Sequence, residues 1–163
     1  MTPIPRSPNW LAATRRYLAA AAIANLLWES AQVRLYTLWR TGTPGEIAFA
    51  VLHCTAGDVL IAAMSLVLAL MVVASPGWPE SRFGPVMVTA IAFGTAYTVY
   101  SEHVNTAIRK SWAYSELMPI VPVVRTGLAP LAQWLVVPAL SLAWACRRAI
   151  VYGEWLQQNV RGR

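Results

Sequence analysis

The sequence predicts an all-α, multi-pass membrane protein in which four transmembrane helices form an up-down bundle. Apolar residues make up 57% of the 163 residues and charged residues only 12%, about half the charged fraction of a typical soluble domain. Long apolar runs alternate with basic clusters and leave room for four spans of about 20 residues each. Connections containing glycine and proline separate the first three runs, so consecutive helices are expected to run antiparallel.

All predicted elements belong to one transmembrane domain that covers residues 1–163. A short interfacial or re-entrant segment is predicted between the third and fourth helices at 109–125, because this stretch is short and interrupted by prolines. A tail at 1–10 and a C-terminal helix at 149–158 are expected to lie along the surface. The four spans are predicted at about 17–39, 46–74, 86–107 and 128–146.

The first span carries a polar ridge. At 100 degrees per residue, four polar side chains fall within a sector of roughly 60 degrees on one face of the helix. Such a ridge is expected to face protein or water instead of lipid. Its residues are Asn25, Glu29, Gln32 and Tyr36.

The second span starts at a predicted capping box, with Thr43 as N-cap, Pro44 in the first helical position and Glu46 three residues after the cap. His53 and Asp58 mark the two edges of a polar arc of roughly 140 degrees on its first half. An ionisable group inside a membrane costs several kcal/mol unless it faces protein or water, so Asp58 is a candidate functional residue.

The third and fourth spans are each polar in one half. The third span is apolar at first, and its second half places Thr98, Glu102 and Asn105 on one face. The fourth span has Gln133 near its start and Pro138 near its middle, where proline cannot donate a backbone hydrogen bond.

The distribution of Lys and Arg predicts the orientation. The excess of basic residues, with a net charge of +6, flanks apolar runs and forms no stripe with interleaved aromatics, which favours membrane topology over nucleic-acid binding. Eight basic residues against five predict cytoplasmic N- and C-termini in a cell (inner) membrane. The eight are Arg6, Arg15, Arg16, Arg82, Arg147, Arg148, Arg161 and Arg163, and the five are Arg34, Arg40, Arg109, Lys110 and Arg125.

With alternating helix directions, the polar halves of all four spans lie in the outer leaflet. We therefore expect one pocket, open toward the non-cytoplasmic side and covered by the segment between the third and fourth helices. The candidate acid–base residues are Glu29, Asp58, Glu102 and His53, and the candidate ligand-binding residues are Gln32, Asn105, Tyr36, Thr98, Gln133, Trp112 and Tyr114.

Carboxyl groups that share a low-dielectric pocket repel one another, so at least one is expected to hold its proton near pH 7. A neutral acid beside an ionised one, with His53 nearby, suits general acid–base chemistry. The sequence thus predicts a pocket that binds or chemically processes a small apolar or amphipathic molecule, and leaves open whether the protein is an enzyme.

Several alternatives stay open at this point. The acids are also explained by hydrogen bonds to Gln32, His53 and Asn105 that only hold the helices together. A proton or ion relay, or an accessory subunit or assembly factor with a membrane partner or a second copy, fits the same residues. The cofactor is unknown; a metal held by His53, Asp58, Glu29 and Glu102 is a further alternative with weak support, because these residues form no recognisable metal-binding motif.

Overall fold

The computed structural model describes residues 10–161, with the backbone alone at residue 148 and residues 150–161. The predicted tail therefore lies almost entirely outside the described residues. Four long helices carry the described chain, joined by short turns and one small hairpin. The long helices are α1, α3, α4 and α5. In chain order the elements are α1 (Trp10–Gln32), a 3-10 turn (Val33–Leu35), α2 (Leu38–Thr41), α3 (Pro44–Val73), α4 (Phe83–His103), a π-helical turn (Val104–Ile108), β1 (Ile120–Val121), β2 (Thr126–Gly127) and α5 (Leu128–Arg161).

Each long helix packs against two others. Helix α1 contacts α3 and α5, and α4 contacts the same two helices. Long helices that follow one another in sequence are therefore neighbours, and the last packs against the first. A central space between the four helices is the consequence of this arrangement.

Among the described residues, three helices are long and apolar enough to cross a membrane: Pro44–Val73, Phe83–Ile108 and Leu128–Arg147. The prediction of a helical protein with membrane-spanning segments is confirmed at this level, and these helices indicate a lipid bilayer as the environment. Helix α1 is not among the three; it carries Arg15, Arg16 and Glu29 within its length.

Helix α3 begins at the predicted capping box. The Thr43 hydroxyl accepts a hydrogen bond from the Glu46 backbone N–H at 3.3 Å, and the Glu46 carboxylate accepts one from the Thr43 backbone N–H at 2.8 Å. Pro44 occupies the first turn, where its missing N–H has no helical partner to lose. The cap fixes where α3 starts and so fixes which of its residues face the bundle.

The apolar core lies at one end of the long helices. It combines the early residues of α1 and α4 with the late residues of α3 and α5, which is what antiparallel packing of consecutive helices requires. The core residues include Ala13, Tyr17, Ala21, Ala62, Leu66, Ala69, Trp78, Val86, Ala90, Trp134, Leu142, Ala145 and Cys146. The opposite end of the helices is left for polar residues.

A close approach between α4 and α5 ends this core. Gly94 is buried, and a Cβ atom placed on it would lie 2.2 Å from the Cε3 atom of Trp134. The absence of a side chain at Gly94 therefore lets the indole ring of Trp134 approach the α4 backbone closely.

Residues 109–127 form a segment that we call the cap. The cap runs alongside the connection after α1: the Thr37 N–H donates to the Ala113 carbonyl at 2.9 Å, and the Ser115 N–H donates to the Leu35 carbonyl at 2.9 Å. This pairing explains why α1 ends at Gln32, although the first span was predicted to continue to residue 39. The Thr37 N–H and the Leu35 carbonyl thus bond to the cap, whereas Tyr36 and Arg40 donate within short local turns.

Helix α5 continues without a break to Arg161. The backbone at 149–158 is therefore helical, as expected, but belongs to the same helix as the fourth predicted span. Its predicted position on the surface depends on side chains that lie outside the described ones.

Candidate functional site

A cavity of about 180 Å³ lies between the long helices at the end opposite the apolar core. Every long helix contributes to it, and so do the connection after α1 and the cap. The lining residues are Glu29, Gln32, Val33, Tyr36, Leu38, Ala50, Val51, His53, Cys54, Gly57, Asp58, Ile61, Thr98, Ser101, Glu102, Trp112, Pro130 and Gln133.

One wall of the cavity is a network of two carboxyl groups and three amides, which we call the amide–carboxyl network. Gln32 donates from Nε2 to Glu29 and, at 3.0 Å, to the Gln133 Oε1 atom. Gln133 in turn donates from Nε2 to the Asp58 carboxylate at 2.8 Å. The network joins α1, α3 and α5, so the three helices position its side chains jointly.

The side-chain nitrogen of Gln133 faces more hydrogen-bond acceptors than it has hydrogens to donate. Its Nε2 atom lies 3.0 Å from Asn25 Oδ1, 3.1 Å from Glu29 Oε1 and 2.8 Å from Asp58 Oδ2. A side-chain amide nitrogen carries two hydrogens, so three acceptors cannot all be satisfied at once. Because Glu29 also accepts from Gln32, the network is satisfied when Gln133 gives its two hydrogens to Asn25 and Asp58.

The third carboxyl group, Glu102 on α4, is bound to the cap. Its Oε2 atom accepts a hydrogen bond from Tyr114 and one from the Trp112 indole at 3.5 Å. The Tyr114 hydroxyl itself accepts from the Gly127 N–H at 3.0 Å. Burial raises the pKa of Tyr114 above its ordinary value, and its hydrogen bond to Glu102 raises it further. The phenol therefore stays protonated and serves as a donor.

The Thr98 side chain also lines the cavity, and its environment is unusual. It is 6% exposed, and its hydroxyl oxygen has no hydrogen-bond partner within the described chain. Buried hydroxyl groups in folded proteins are normally bonded. Thr98 therefore offers an unused donor and acceptor at the cavity wall.

The first half of α3 forms an open side of the cavity. Every residue of α3 before Ala62 is at least partly exposed, whereas Ala62, Ser65, Leu66 and Ala69 are buried. Two cavity-lining residues of this half, His53 and Gly57, are exposed. The His53 ring stacks on the Phe49 ring at a centroid distance of 5.5 Å. His53 therefore stands at the rim of the cavity.

The structure brings most of the predicted site residues to this cavity. Tyr114 reaches it through its hydrogen bond to Glu102. Asn105 does not line it, because its amide donates to the Ser101 carbonyl one turn earlier, at 2.8 Å. The predicted residues that line the cavity are Glu29, Asp58, Glu102, His53, Gln32, Tyr36, Thr98, Gln133 and Trp112.

Two polar residues near the cavity were absent from the predicted site. Asn25 is buried and accepts from Gln133, and its signal was present in the sequence, because it belongs to the same helical ridge as Glu29 and Gln32. Ser101 lines the cavity beside Glu102. A serine in a helix carries no sequence signal that separates this position from a packing position.

The carboxyl groups of the cavity are surrounded by hydrogen-bond donors. Among the side chains that the structure describes, no group of three or more His, Cys, Asp or Glu could hold a metal ion. The carboxyl groups instead meet amides, an indole and a phenol. Comparison of the chain with protein-family models, with curated proteins and with solved structures gives no match.

Proposed function

We propose that this protein binds a small apolar or amphipathic molecule in the cavity and handles it by acid–base chemistry. The observation that carries the proposal is the position of the amide–carboxyl network at the wall of a cavity whose other walls are largely apolar. Buried polar groups that serve only to join helices are expected to be fully satisfied among themselves. Here the Thr98 hydroxyl, at the wall of the same cavity, has no hydrogen-bond partner within the described chain.

In this proposal α1 is a fourth membrane span, and the protein is a multi-pass four-helix bundle. The support is that α1 packs between α3 and α5 and buries a residue on almost every turn, including Ala13, Tyr17 and Ala21. The end of α1 near Arg15 then lies near the membrane interface, and the end near Glu29 lies at the cavity. The cap lies at the non-cytoplasmic surface, and both termini are cytoplasmic.

The acid–base roles follow from the two carboxyl environments. Glu29 and Asp58 accept from the same amide nitrogen of Gln133, and like charges at such proximity favour a single shared proton. That pair supplies an acid and a base on one wall. Glu102, held by Trp112 and Tyr114, faces the same cavity from α4 and is positioned to stabilise a positive charge.

Native mass spectrometry of protein extracted in mild detergent tests the proposal. We expect wild-type protein to retain a small-molecule adduct, and Asp58→Asn to lose most of it, because the variant removes the charge and the shared proton of the network. Glu46→Gln is the matched control: it also neutralises an acid of α3, but outside the cavity, and glutamine preserves the capping box. Equal adduct on wild type and Asp58→Asn contradicts the proposal.

Proton passage is the second candidate, and one observation favours it. Asp58, Gln133 and Asn25 form a hydrogen-bonded chain that runs from the cavity toward the middle of the bundle. Beyond Asn25 the packing is mainly apolar, with Leu66, Val86 and Leu142 in the core. Liposomes with a pH gradient decide between the two: proton flux above that of empty vesicles, lost in Asp58→Asn, favours passage.

An accessory role in a membrane complex, without chemistry, makes a different prediction. The chain would then be isolated only with a partner and without a bound small molecule. Purification of a stable, ligand-bound protein that lacks a partner argues against that role.

A further inference from the structure

The charge of the cavity is unbalanced. Three carboxyl groups line it, and its lining residues include no Lys and no Arg. Arg34, which follows the ridge of α1, is exposed and lies over the Trp39 ring, with its guanidinium carbon 5.4 Å from the ring centroid. No Lys or Arg among the lining residues can offset the charge of a carboxyl group that ionises there. A buried charge without a counter-charge is costly.

The unbonded hydroxyl of Thr98 independently indicates a missing molecule. It lies on α4, one turn from Glu102, and so on the same face of that helix. A ligand group that reaches Glu102 therefore comes close to Thr98 as well. An ammonium group carries several N–H donors and suits both a carboxylate and a hydroxyl acceptor.

The open side of the cavity faces apolar surroundings. On the first half of α3, Phe49, Leu52 and Leu60 are 68%, 61% and 64% exposed, and they flank the rim residues His53 and Gly57. A surface of this kind on a membrane-spanning helix lies against lipid. A Cβ atom placed on Gly57 would meet nothing within 4 Å, so the rim is open at this residue.

The cavity is too small for a whole amphiphile. Its volume is about 180 Å³, whereas pockets that enclose a drug-sized ligand measure about 300–1,000 Å³. It accommodates a head group with a few carbon atoms. The remainder of such a molecule must then extend through the opening beside Gly57 and lie in the hydrocarbon.

We infer that the cavity binds the ammonium head group of an amphipathic amine, which enters sideways from the lipid past Gly57 while its alkyl chain stays in the bilayer. This inference rests on the proposed function, since it names the ligand class of the same cavity. An anionic head group would be repelled by Glu29, Asp58 and Glu102. A neutral head group would give an ionised carboxyl group of the cavity no counter-charge.

A binding assay with matched amphiphiles tests the inference. Protein in phosphatidylcholine nanodiscs is titrated with radiolabelled dodecylammonium, and binding to empty nanodiscs is subtracted. Unlabelled dodecanol, dodecanoate and propylammonium are the competitors. We expect saturable binding of dodecylammonium and at least ten-fold weaker competition by dodecanol and by dodecanoate, which carry the same chain. Propylammonium, which has the charge without the long chain, is also expected to compete at least ten-fold more weakly.

Two pairs of variants test the charge and the opening separately. Asp58→Asn is expected to weaken dodecylammonium binding at least ten-fold, whereas Glu46→Gln leaves it unchanged. Gly57→Leu fills the opening and is expected to have a similar effect, whereas Gly45→Leu, on the same helix and with equal space around its Cβ, leaves binding unchanged. Gly57→Leu preserves every member of the amide–carboxyl network. If Asp58→Asn fails to fold, Gly57→Leu therefore still tests binding at the cavity.

Three outcomes overturn the inference. Competition by dodecanol as strong as that by dodecylammonium excludes selection for charge. Full binding in Gly57→Leu excludes entry past this residue. No protein-dependent binding of any probe excludes the ligand class, and a small-molecule adduct in native mass spectrometry would then still support the proposed function, so the two failures are distinguishable.

Discussion

At the scale of single residues, Gln133 connects more of the site than any of the carboxyl groups does. It donates toward Asn25, Glu29 and Asp58 and accepts from Gln32. Gln133 is 2% exposed, so its own side of these hydrogen bonds is shielded from bulk water. The stability of the bundle at this end should therefore depend on the amide and not only on apolar packing.

Replacing Gln133 with leucine tests this dependence. Gln133→Leu keeps the approximate volume but leaves Glu29 and Asp58 without their shared donor, and a buried acceptor that loses its partner costs about 1–3 kcal/mol. We expect the free energy of unfolding, measured by titration of detergent micelles with sodium dodecyl sulfate, to fall by about that amount. Thr55→Val is the control, because the Thr55 hydroxyl bonds only to the Val51 carbonyl of its own helix. Equal stability of Gln133→Leu and wild type contradicts a structural role for the network.

Sequence periodicity indicates which residues of one helix share a face, but it does not indicate their hydrogen-bond partners on other helices. Helical spacing places Asn25, Glu29 and Gln32 on one ridge, and the structure has all three buried. The partners of Asp58 and Glu102 could not be inferred, because contacts between helices depend on rotation and relative height. The alternative explanation paired Asp58 with His53, but in the structure Asp58 accepts from Gln133 on α5, while Glu102 accepts from the cap.

At the scale of elements, the contact between α4 and α5 depends on one glycine. The buried glycines of membrane helices commonly permit close helix packing. Gly94 faces the Trp134 ring in this way. Gly84 lies on the same helix, but a Cβ atom there would meet nothing within 4 Å. The two positions therefore predict opposite responses to the same substitution.

Gly94→Ala should destabilise the protein. The added methyl group would lie 2.2 Å from Trp134 Cε3, which forces the ring or the helix to move, and overpacking of this kind costs about 1–3 kcal/mol. Gly84→Ala should be neutral or stabilise by up to about 1 kcal/mol, because alanine has the higher helix propensity. Thermal unfolding followed by circular dichroism measures both. A Gly94→Ala variant as stable as Gly84→Ala would show that the contact with Trp134 is not tight.

The elements also differ in how far the sequence predicts them. The start of α3 was predictable, because Thr43, Pro44 and Glu46 carry their capping roles in their side chains. The pairing of the cap with the connection after α1 was not, because it uses backbone groups of Thr37, Ala113 and Ser115 that any residue possesses. For the same reason the end of α1 at Gln32 could not be read from an apolar run that continues beyond it.

At the scale of the whole molecule, polarity is distributed along the helix axes. The apolar core and the cavity occupy opposite ends of the same four long helices. The sequence shows this distribution. Because consecutive helices alternate in direction, the position of a polar residue along its span gives its depth in the bundle. The sequence does not show that the first half of α3 stays exposed and leaves the cavity open on one side, since that depends on how closely whole helices approach one another.

The basic residues predict the orientation of this polar end in the membrane, and cysteine labelling can measure it. In a background in which Cys54 and Cys146 are replaced by alanine, Ser111→Cys reports the cap and Ser81→Cys reports the connection between α3 and α4; both serines are exposed. Because basic residues are more frequent on the side of Ser81, we expect a membrane-impermeant maleimide to label Ser111→Cys in intact cells and Ser81→Cys only after permeabilisation.

The result decides from which side the site is reached. Labelling of Ser111→Cys in intact cells places the cavity, which Trp112 of the cap helps to line, toward the non-cytoplasmic leaflet, so its ligand comes from lipid of that leaflet. The reverse pattern would contradict the orientation while leaving the cavity and its carboxyl groups unchanged, and the ligand would then come from the cytoplasmic leaflet. Labelling of both positions in intact cells would mean that α4, the long helix between Ser81 and Ser111, does not cross the membrane, which contradicts the four-span bundle itself.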